Sequence, residues 1–409
     1  MRALKDRRIL LGISGGIAAY KVGFVARGLR KAGADVRVVM TQAATKFVGP
    51  LTFEALTENP VGTDADFFHT GGGVSHVEMA RACDLIVIAP CTATTLARLA
   101  GGFADNLLSA VVLASRAPVL LVPSMHTAMW QSHAVQQNLA RLDPSRFRVM
   151  PPEAGDLASG DVGPGRFPEP QDILEQAAAT LGPRDLAGRT IVVTAGPTRE
   201  PMDPVRLITN PSTGRMGIEI ARAAQVRGAR VRLVLGPTEV PPPRAFDDAS
   251  ISVVRVMTTQ QMLEATQAAL QGADALVMAA APADQRPAAP RPGKGRKKDL
   301  PATLDLVTTP DILLTLRPAL AGRIVLGFAA ETDDVEASGR RKLDEKGLDL
   351  LFANPVGDGV GFGARPNEGF LVSRDRDTET VASRTKADLA DFLLDRLAER
   401  LPTSGGTTH

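Results

Sequence analysis

The chain has 409 residues, 44% of them hydrophobic, with 47 basic against 45 acidic side chains. That length calls for two or three domains and allows substantial cores, while the near-neutral charge, even in each half (18 basic to 17 acidic over 1–185, 29 to 28 over 186–409), argues against a nucleic-acid surface. Cys83 and Cys91 form neither a disulfide framework nor a metal-binding spacing, a single Trp and a single Tyr exclude a base-stacking platform, and the lack of a signal peptide or membrane-length apolar run points to a cytoplasmic protein.

Ile9 to Ile13 reads as a buried strand, Ser14-Gly15-Gly16 as a turn, and Ile17 to Lys31 as a helix with apolar residues at 17, 20, 24 and 29. Gly33 suits the helix stop, and Asp35 to Met40 is a second strand. This βαβ pattern implies a parallel sheet with its ligand at the strand carboxyl ends. Further strands at 85–89 and 119–122 run into Pro90-Cys91-Thr92-Ala93-Thr94 and Pro123-Ser124-Met125-His126. With Thr41 after the second strand, several strand ends thus carry hydroxyls or helix starts, which marks a ligand crevice without naming the ligand. His76 opens a helix after Gly71-Gly72-Gly73; by itself it reads as a cap or surface residue. The Gly-rich stretch 154–166, with Ser159 in it, reads as a clamp or as a plain connector.

A helix over 173–181 closes the first half, and a polar break over 182–188 sets a domain boundary near 185. The second half repeats the first in outline: residues 33–39 echo in 228–234 and 83–90 in 273–280, so two tandem doubly wound, Rossmann-like α/β units are expected. Its first strand, around 191–193, reaches the helix at 218–226 only after about twenty residues carrying Arg199, Arg206, Asn210 and Arg215. A dinucleotide fingerprint would cross in about six residues with three glycines. A nicotinamide fold is therefore disfavoured, and a long functional loop beside an anion-attracting helix start takes its place. The strand near 275–280 leads into a Pro-rich loop with six cations between Asp284 and Asp299, which reads as a solvated run or a lid over a polyphosphate. Thr309-Pro310-Asp311-Ile312 suggests a Pro-initiated helix, another candidate anion site. Residues 325–332 form a strand, Lys342 and Lys346 share a helix face, 352–370 reads as a loop, 385–401 as the last helix, and 403–409 as a disordered tail.

Several motifs carry a family resemblance. Residues 194–217, the segments at 14–21, 104–109 and 123–130, and the 154–166 loop together resemble the bacterial fusion enzymes that join a phosphopantothenoylcysteine decarboxylase to a phosphopantothenate–cysteine ligase. The resemblance implies a flavodoxin-like FMN domain over 1–185 and a CTP-dependent ligase domain over 186–409. It implies Ser14, Gly15, Gly16, Thr41, Thr92 and Thr94 near FMN, with His76 as the base that helps flavin oxidise the substrate thiol before CO2 leaves. The family pattern has Asn where this chain has His126, to hold the departing carboxylate, and many members have a proton-donating Cys where it has Ser159. An alkyl hydroxyl is too weak an acid for that step unless it relays a proton, so His126 or water takes over, or the step is slow or absent.

For the second half the resemblance implies activation of 4'-phosphopantothenate by CTP with Mg2+, then displacement of CMP by the amine of cysteine. Met278, Ala279, Ala280, Asp284, Lys294, Pro310, Asp311, Ile312, Phe328, Lys342 and Lys346 would hold CTP. Asn210 would hydrogen-bond the acyl oxygen where charge grows, and Arg206 would bind the acid substrate. Lys294 is the candidate mobile lysine, with Lys297 as its competitor. No metal ligands are assigned. The resemblance also implies a homo-oligomer built from trimers of the first domain and dimers of the second, with small molecules as the only other partners. Against this bifunctional reading stands an active ligase whose flavin domain is a weakly active or inactive scaffold.

Overall fold

Apolar runs of four to eight residues bounded by Gly, Pro or Ser become strands buried on both faces, as parallel sheets require. In the computed structural model, which describes residues 2–67, 76–157, 159–247, 249–294, 303–357 and 366–402, the chain divides into Met1–Pro183 and Arg184–His409. In the first unit β1 (Arg8–Ile13), β2 (Asp35–Met40), β3 (Val61–Thr63), β4 (Leu85–Cys91), β5 (Val119–Pro123) and β6 (Phe147–Val149) form one parallel sheet in the order β3-β2-β1-β4-β5-β6. The order reverses between β1 and β4, so their carboxyl ends open a crevice. The helix expected over 17–31 starts as a 3-10 turn, Ile17–Lys21, and continues as an α-helix, Val22–Lys31. It buries Val22, Val25, Ala26 and Leu29, whereas Ile17, Tyr20 and Phe24 are 62%, 58% and 63% exposed. The 154–166 stretch folds as an antiparallel hairpin, β7 (Glu153–Asp156) and β8 (Val162–Arg166), more ordered than the expected loop.

The second unit contains β9 (Thr190–Ala195), β10 (Arg199–Pro201), β11 (Leu207–Thr209), β12 (Arg230–Leu235), β13 (Ile251–Arg255), β14 (Ala275–Met278), β15 (Gln285–Pro287), β16 (Leu306–Thr308), β17 (Ile324–Glu331), β18 (Leu350–Pro355), β19 (Asn367–Ser373) and β20 (Glu379–Arg384). Eight of them form the sheet β13-β12-β9-β14-β17-β18-β19-β20. It is parallel as far as β18 and antiparallel from there on. The reversal falls between β9 and β14, the same place as in the first unit. One face packs on the helices Arg215–Val226 and Lys386–Ala398, the other on Thr259–Ala269 and Val335–Lys346. Residues 352–355 and 367–370, expected as loop, belong to β18 and β19, because Phe352, Ala353 and Leu371 face the core. The helix expected from 218 starts at Arg215, behind Gly214 in the left-handed conformation. Gly71 to Gly73, Lys297 and the tail 403–409 lie outside the described residues.

The same carboxylate clasp joins three pairs of neighbouring strands at their amino ends. Asp84, before β4, accepts from the Arg8 amide at 2.8 Å and from its guanidinium at 3.0 Å. Asp274, before β14, accepts from the Thr190 amide at 2.8 Å and from Arg189 at 3.0 Å. Asp349, before β18, accepts from the Val325 amide at 2.8 Å.

Candidate functional site

At the carboxyl ends of β1, β2, β4 and β5 lies a cavity of about 950 Å3, within the range of roughly 300–1,000 Å3 usual for small-molecule sites. Gly15, Gly16, Thr41, Thr92 and Thr94 line it. A Cβ on Gly15 would stand 2.4 Å from the Cβ of Ala43 and 2.7 Å from its carbonyl carbon, so only glycine lets the two turns meet. Thr92 caps the helix Ala93–Gly101 by accepting from the Thr95 amide, which aims that helix start at the cavity. Ser14 is buried and does not line the cavity. Its hydroxyl donates to the Pro90 carbonyl at 2.7 Å and accepts from the Thr92 amide at 2.9 Å, tying the ends of β1 and β4 together.

His126 and Ser159 both line the cavity, and one carboxylate joins them. Asp161 Oδ2 lies 2.8 Å from His126 Nε2 and accepts from the Ser159 hydroxyl at 2.9 Å. The His126 ring also caps the helix Thr127–Trp130, where Nδ1 accepts from the Ala128 amide at 3.2 Å. A nitrogen that accepts carries no proton, so the ring proton sits on Nε2 and points to Asp161. The bonds from His126 and then Ser159 hold the Asp161 carboxyl below the usual range. His76 opens the helix His76–Arg81 and is not among the cavity-lining residues; it stands edge-on to Phe67, ring centroids 5.6 Å apart, and Phe67 does line the cavity. Sequence reasoning missed Asp64, which accepts from the Gln42 amide at 2.9 Å and the Leu107 amide at 3.2 Å, and Arg98, paired with Asp105 at 3.1 Å. All three acidic or basic side chains line the cavity. An acid between two loops gives no periodic signal, so neither was legible.

In the second unit the long loop carries the β10–β11 hairpin, which packs beside the β15–β16 hairpin. The Arg291 amide donates to the Met202 carbonyl at 2.8 Å, so the stem of the cation loop meets the Arg206 turn. Asp203 holds that turn through the Val205 and Arg206 amides, both at 2.8 Å, and the Arg206 guanidinium at 2.6 Å; the Val205 bond leads in keeping its carboxyl below the usual range. Asn210 Nδ2 donates to the carbonyls of Ala281 (3.3 Å) and Pro282 (2.9 Å). The stabilisation of an acyl oxygen expected from Asn210 needs that same nitrogen, and it is already engaged; Oδ1 is the remaining polar atom. Met278, Ala279 and Ala280 lie at the end of β14, where the buried Thr194 hydroxyl donates to Met278 Sδ and accepts from the Ala280 amide, both at 3.2 Å. Buried Glu200 accepts from the Thr259 amide at 2.7 Å, and Thr198 accepts from the Ala283 amide at 2.9 Å. Thr194 and Thr198, buried partners of the 278–284 turn, and Glu200, which reaches it through Thr259, were missed too.

Asp284 and Lys294 are exposed on the cation loop and its approach. Asp311, rather than Pro310, caps the helix Ile312–Leu316 by accepting from the Leu314 amide at 3.0 Å. A carboxylate thus already occupies the helix start that was expected to be open to an anion. Lys346 pairs with Asp311 at 3.4 Å and Lys342 with Glu331 at 2.6 Å, so the two lysines do share one face. Phe328 stands edge-on to Phe352 at 5.8 Å. No helix among the described residues is long and apolar enough to cross a membrane.

A family model described as "Flavoprotein" matches residues 1–182, and one described as "DNA/pantothenate metabolism flavoprotein C-terminal domain" matches 186–401. The chain is similar to the "Coenzyme A biosynthesis bifunctional protein CoaBC" of Vibrio vulnificus, 42% identical over 371 residues covering 90% of this chain and 91% of that protein. It is similar to the protein of the same description from Mycobacterium tuberculosis, 42% identical over 407 residues and 96% of each chain, and from Bacillus subtilis, 39% identical over 399 residues and 97% of each. With both halves matched and relatives this similar from end to end, the chain belongs to the CoaBC family of bifunctional proteins of coenzyme A biosynthesis.

Proposed function

We propose that the second unit joins 4'-phosphopantothenate to cysteine at the expense of CTP, and that the first unit decarboxylates the product, 4'-phosphopantothenoylcysteine, with bound FMN. The carrying observation is the cavity of about 950 Å3 at the sheet reversal of the first unit; in the second unit the strand order reverses in the same way between β9 and β14, and Asn210 bonds the Ala281 and Pro282 carbonyls just beyond β14. In the first, the Gly15 and Gly16 amides and the Thr92-capped helix start suit a phosphate tail, and Thr41 and Thr94 flank it. FMN would supply the electron sink that loss of CO2 needs. His126 would receive the substrate carboxylate on its Nε2–H, Ser159 would stand beside it, and His76 would act as base from the Phe67 side.

In the second, Arg206 would take the acid substrate, and Met278, Ala279, Ala280, Asp284, Pro310, Asp311, Ile312, Phe328, Lys342 and Lys346 would surround the nucleotide. Lys294 would neutralise departing pyrophosphate. Asn210 would brace the Ala281 and Pro282 carbonyls and offer Oδ1 to a donor such as the cysteine amine. Among the described residues no cluster of three or more His, Cys, Asp or Glu could cage a metal. That suits Mg2+ arriving on the triphosphate, since this ion is usually bound through phosphates and one or two carboxylates. Ile17 and Tyr20 at the cavity and exposed Phe24 beside them form an apolar row that fits a homo-oligomer, built in this reading from trimers of the first unit and dimers of the second.

The test supplies 4'-phosphopantothenate, cysteine, CTP and Mg2+ and follows CMP, pyrophosphate and CO2 together. All three should appear. CMP without CO2 would leave the ligase alone and favour a scaffold role for the first unit; a colourless protein that takes up no flavin would overturn the first assignment.

A further inference from the structure

Among the described residues Asp161 is the one acid that touches both His126 and Ser159, and nothing in the reaction described so far uses it. The His126 Nε2–H is that ring's only proton, because Nδ1 accepts from the Ala128 amide. In the structure that proton goes to a carboxylate of the protein itself. A substrate carboxylate that reaches His126 must therefore compete for the same N–H.

We propose that Asp161 holds the place of the substrate carboxylate until substrate arrives, and that the acid binds by exchanging with it on His126. Asp161 then sets how strongly the pocket prefers the acid substrate over its decarboxylated product, which has no carboxylate to compete. The proposal rests on the reading that His126 receives that carboxylate. It involves exchange of a hydrogen bond and no covalent step.

The surroundings allow the exchange. The Asp161 side chain is 61% exposed and can swing into solvent, whereas the hairpin that bears it is anchored elsewhere. The Met125 amide and the Ser124 hydroxyl both donate to the Gly165 carbonyl, at 3.2 and 3.3 Å. A Cβ on Gly165 would come within 2.2 Å of the Met125 carbonyl, so β8 lies directly on the segment before His126. The tip closes on itself, with the Leu157 amide on the Asp161 carbonyl at 2.8 Å and the Gly160 amide on the Leu157 carbonyl at 2.9 Å. Release of the Asp161 side chain leaves these backbone contacts in place. Once CO2 has departed, Asp161 recovers the Nε2–H and the site returns to its starting arrangement.

The test uses the full-length flavin-loaded protein and its Asp161→Asn and Asp161→Ala variants. Inhibition constants are measured against CO2 release from 4'-phosphopantothenoylcysteine for two compounds: the unreactive serine analogue of that substrate, which keeps the carboxylate, and 4'-phosphopantetheine, which lacks it. Removing a charged competitor for one hydrogen bond should tighten the serine analogue by about three- to tenfold and leave 4'-phosphopantetheine unchanged. A merely structural Asp161 would weaken both compounds together. Equal shifts, weaker binding of the acid, or loss of CO2 release in both variants would each overturn the proposal. A wild-type protein that releases no CO2 would overturn the decarboxylase reading beneath it.

Discussion

At the scale of single residues, atoms already spoken for decide what a side chain can still do. Asn210 spends its nitrogen on two carbonyls. Asn210→Asp would set a carboxylate oxygen against both of them and push the 281–282 turn out of place, so amide formation should fall by about 100-fold, the cost of misplacing reacting groups by about 1 Å. CO2 release from supplied 4'-phosphopantothenoylcysteine should be unchanged; assaying both in one preparation checks this, and a fall in both would contradict it. Gly15→Ala forces its Cβ into the backbone of Ala43. The purified protein should then carry much less flavin, read from its visible absorbance, and a normal yellow preparation would argue against that turn as the flavin cradle. Burial pushes the Cys91 thiol up to about 12, whereas the same thiol in an unfolded chain titrates near 8.5. Its stabilising effect is therefore complete below about pH 8.5 and declines as pH rises toward 12, because the unfolded chain sheds that proton first. Melting temperatures of wild type and Cys91→Ala, compared from pH 8 to 11, should show the steeper alkaline fall in wild type.

At the scale of elements, legibility followed periodicity and ran out with it. The central buried strands of both sheets were readable because a strand covered on both faces must be continuously apolar, whereas the place where the strand order reverses depends on pairing and was not. The helix at 17–31 was readable too, but apolar spacing does not say which face is covered, and Ile17, Tyr20 and Phe24 lie outside. The hairpins β7–β8, β10–β11 and β15–β16 were not legible. Their arms are only three to five residues, too short to show a period of two, and four of the six carry Pro, Gly or charge that reads as loop. Among site residues, those at strand ends were anticipated, whereas Asp64, Asp161 and Thr194 act through backbone amides or other side chains and follow no pattern. Arg227 shows how one helix end is fastened: it is 5% exposed and pairs with Asp185 and, at 2.9 Å, with Asp395. Arg227→Met removes a buried cation from two carboxylates that are each more than a third exposed, so solvent screening should hold the loss to about 1–2 kcal/mol, below the roughly 3–5 of a fully buried pair. Denaturant melting of Arg184–His409 should register that loss, and an unchanged midpoint would mean that water replaces the guanidinium.

At the scale of the whole molecule, each unit has its own sheet and core. His76→Asn should therefore stop CO2 release while sparing CMP formation, the reverse of the Asn210 change, and loss of both activities from either substitution would rule out separate sites. The carboxylate clasps bear on how the chain is made. Asp84 meets Arg8 across 76 positions of sequence, and Asp274 meets Thr190 across 84. Contacts so remote form after local ones, since a long loop must close first. On the ribosome β1 pairs early with β2, but its other edge stays open until the fourth strand of its half has emerged. Because the cavity of the first unit lies on that seam, it cannot form before β4 has emerged, and a pause in translation before β4 or β14 would leave an unpaired strand edge exposed to other chains.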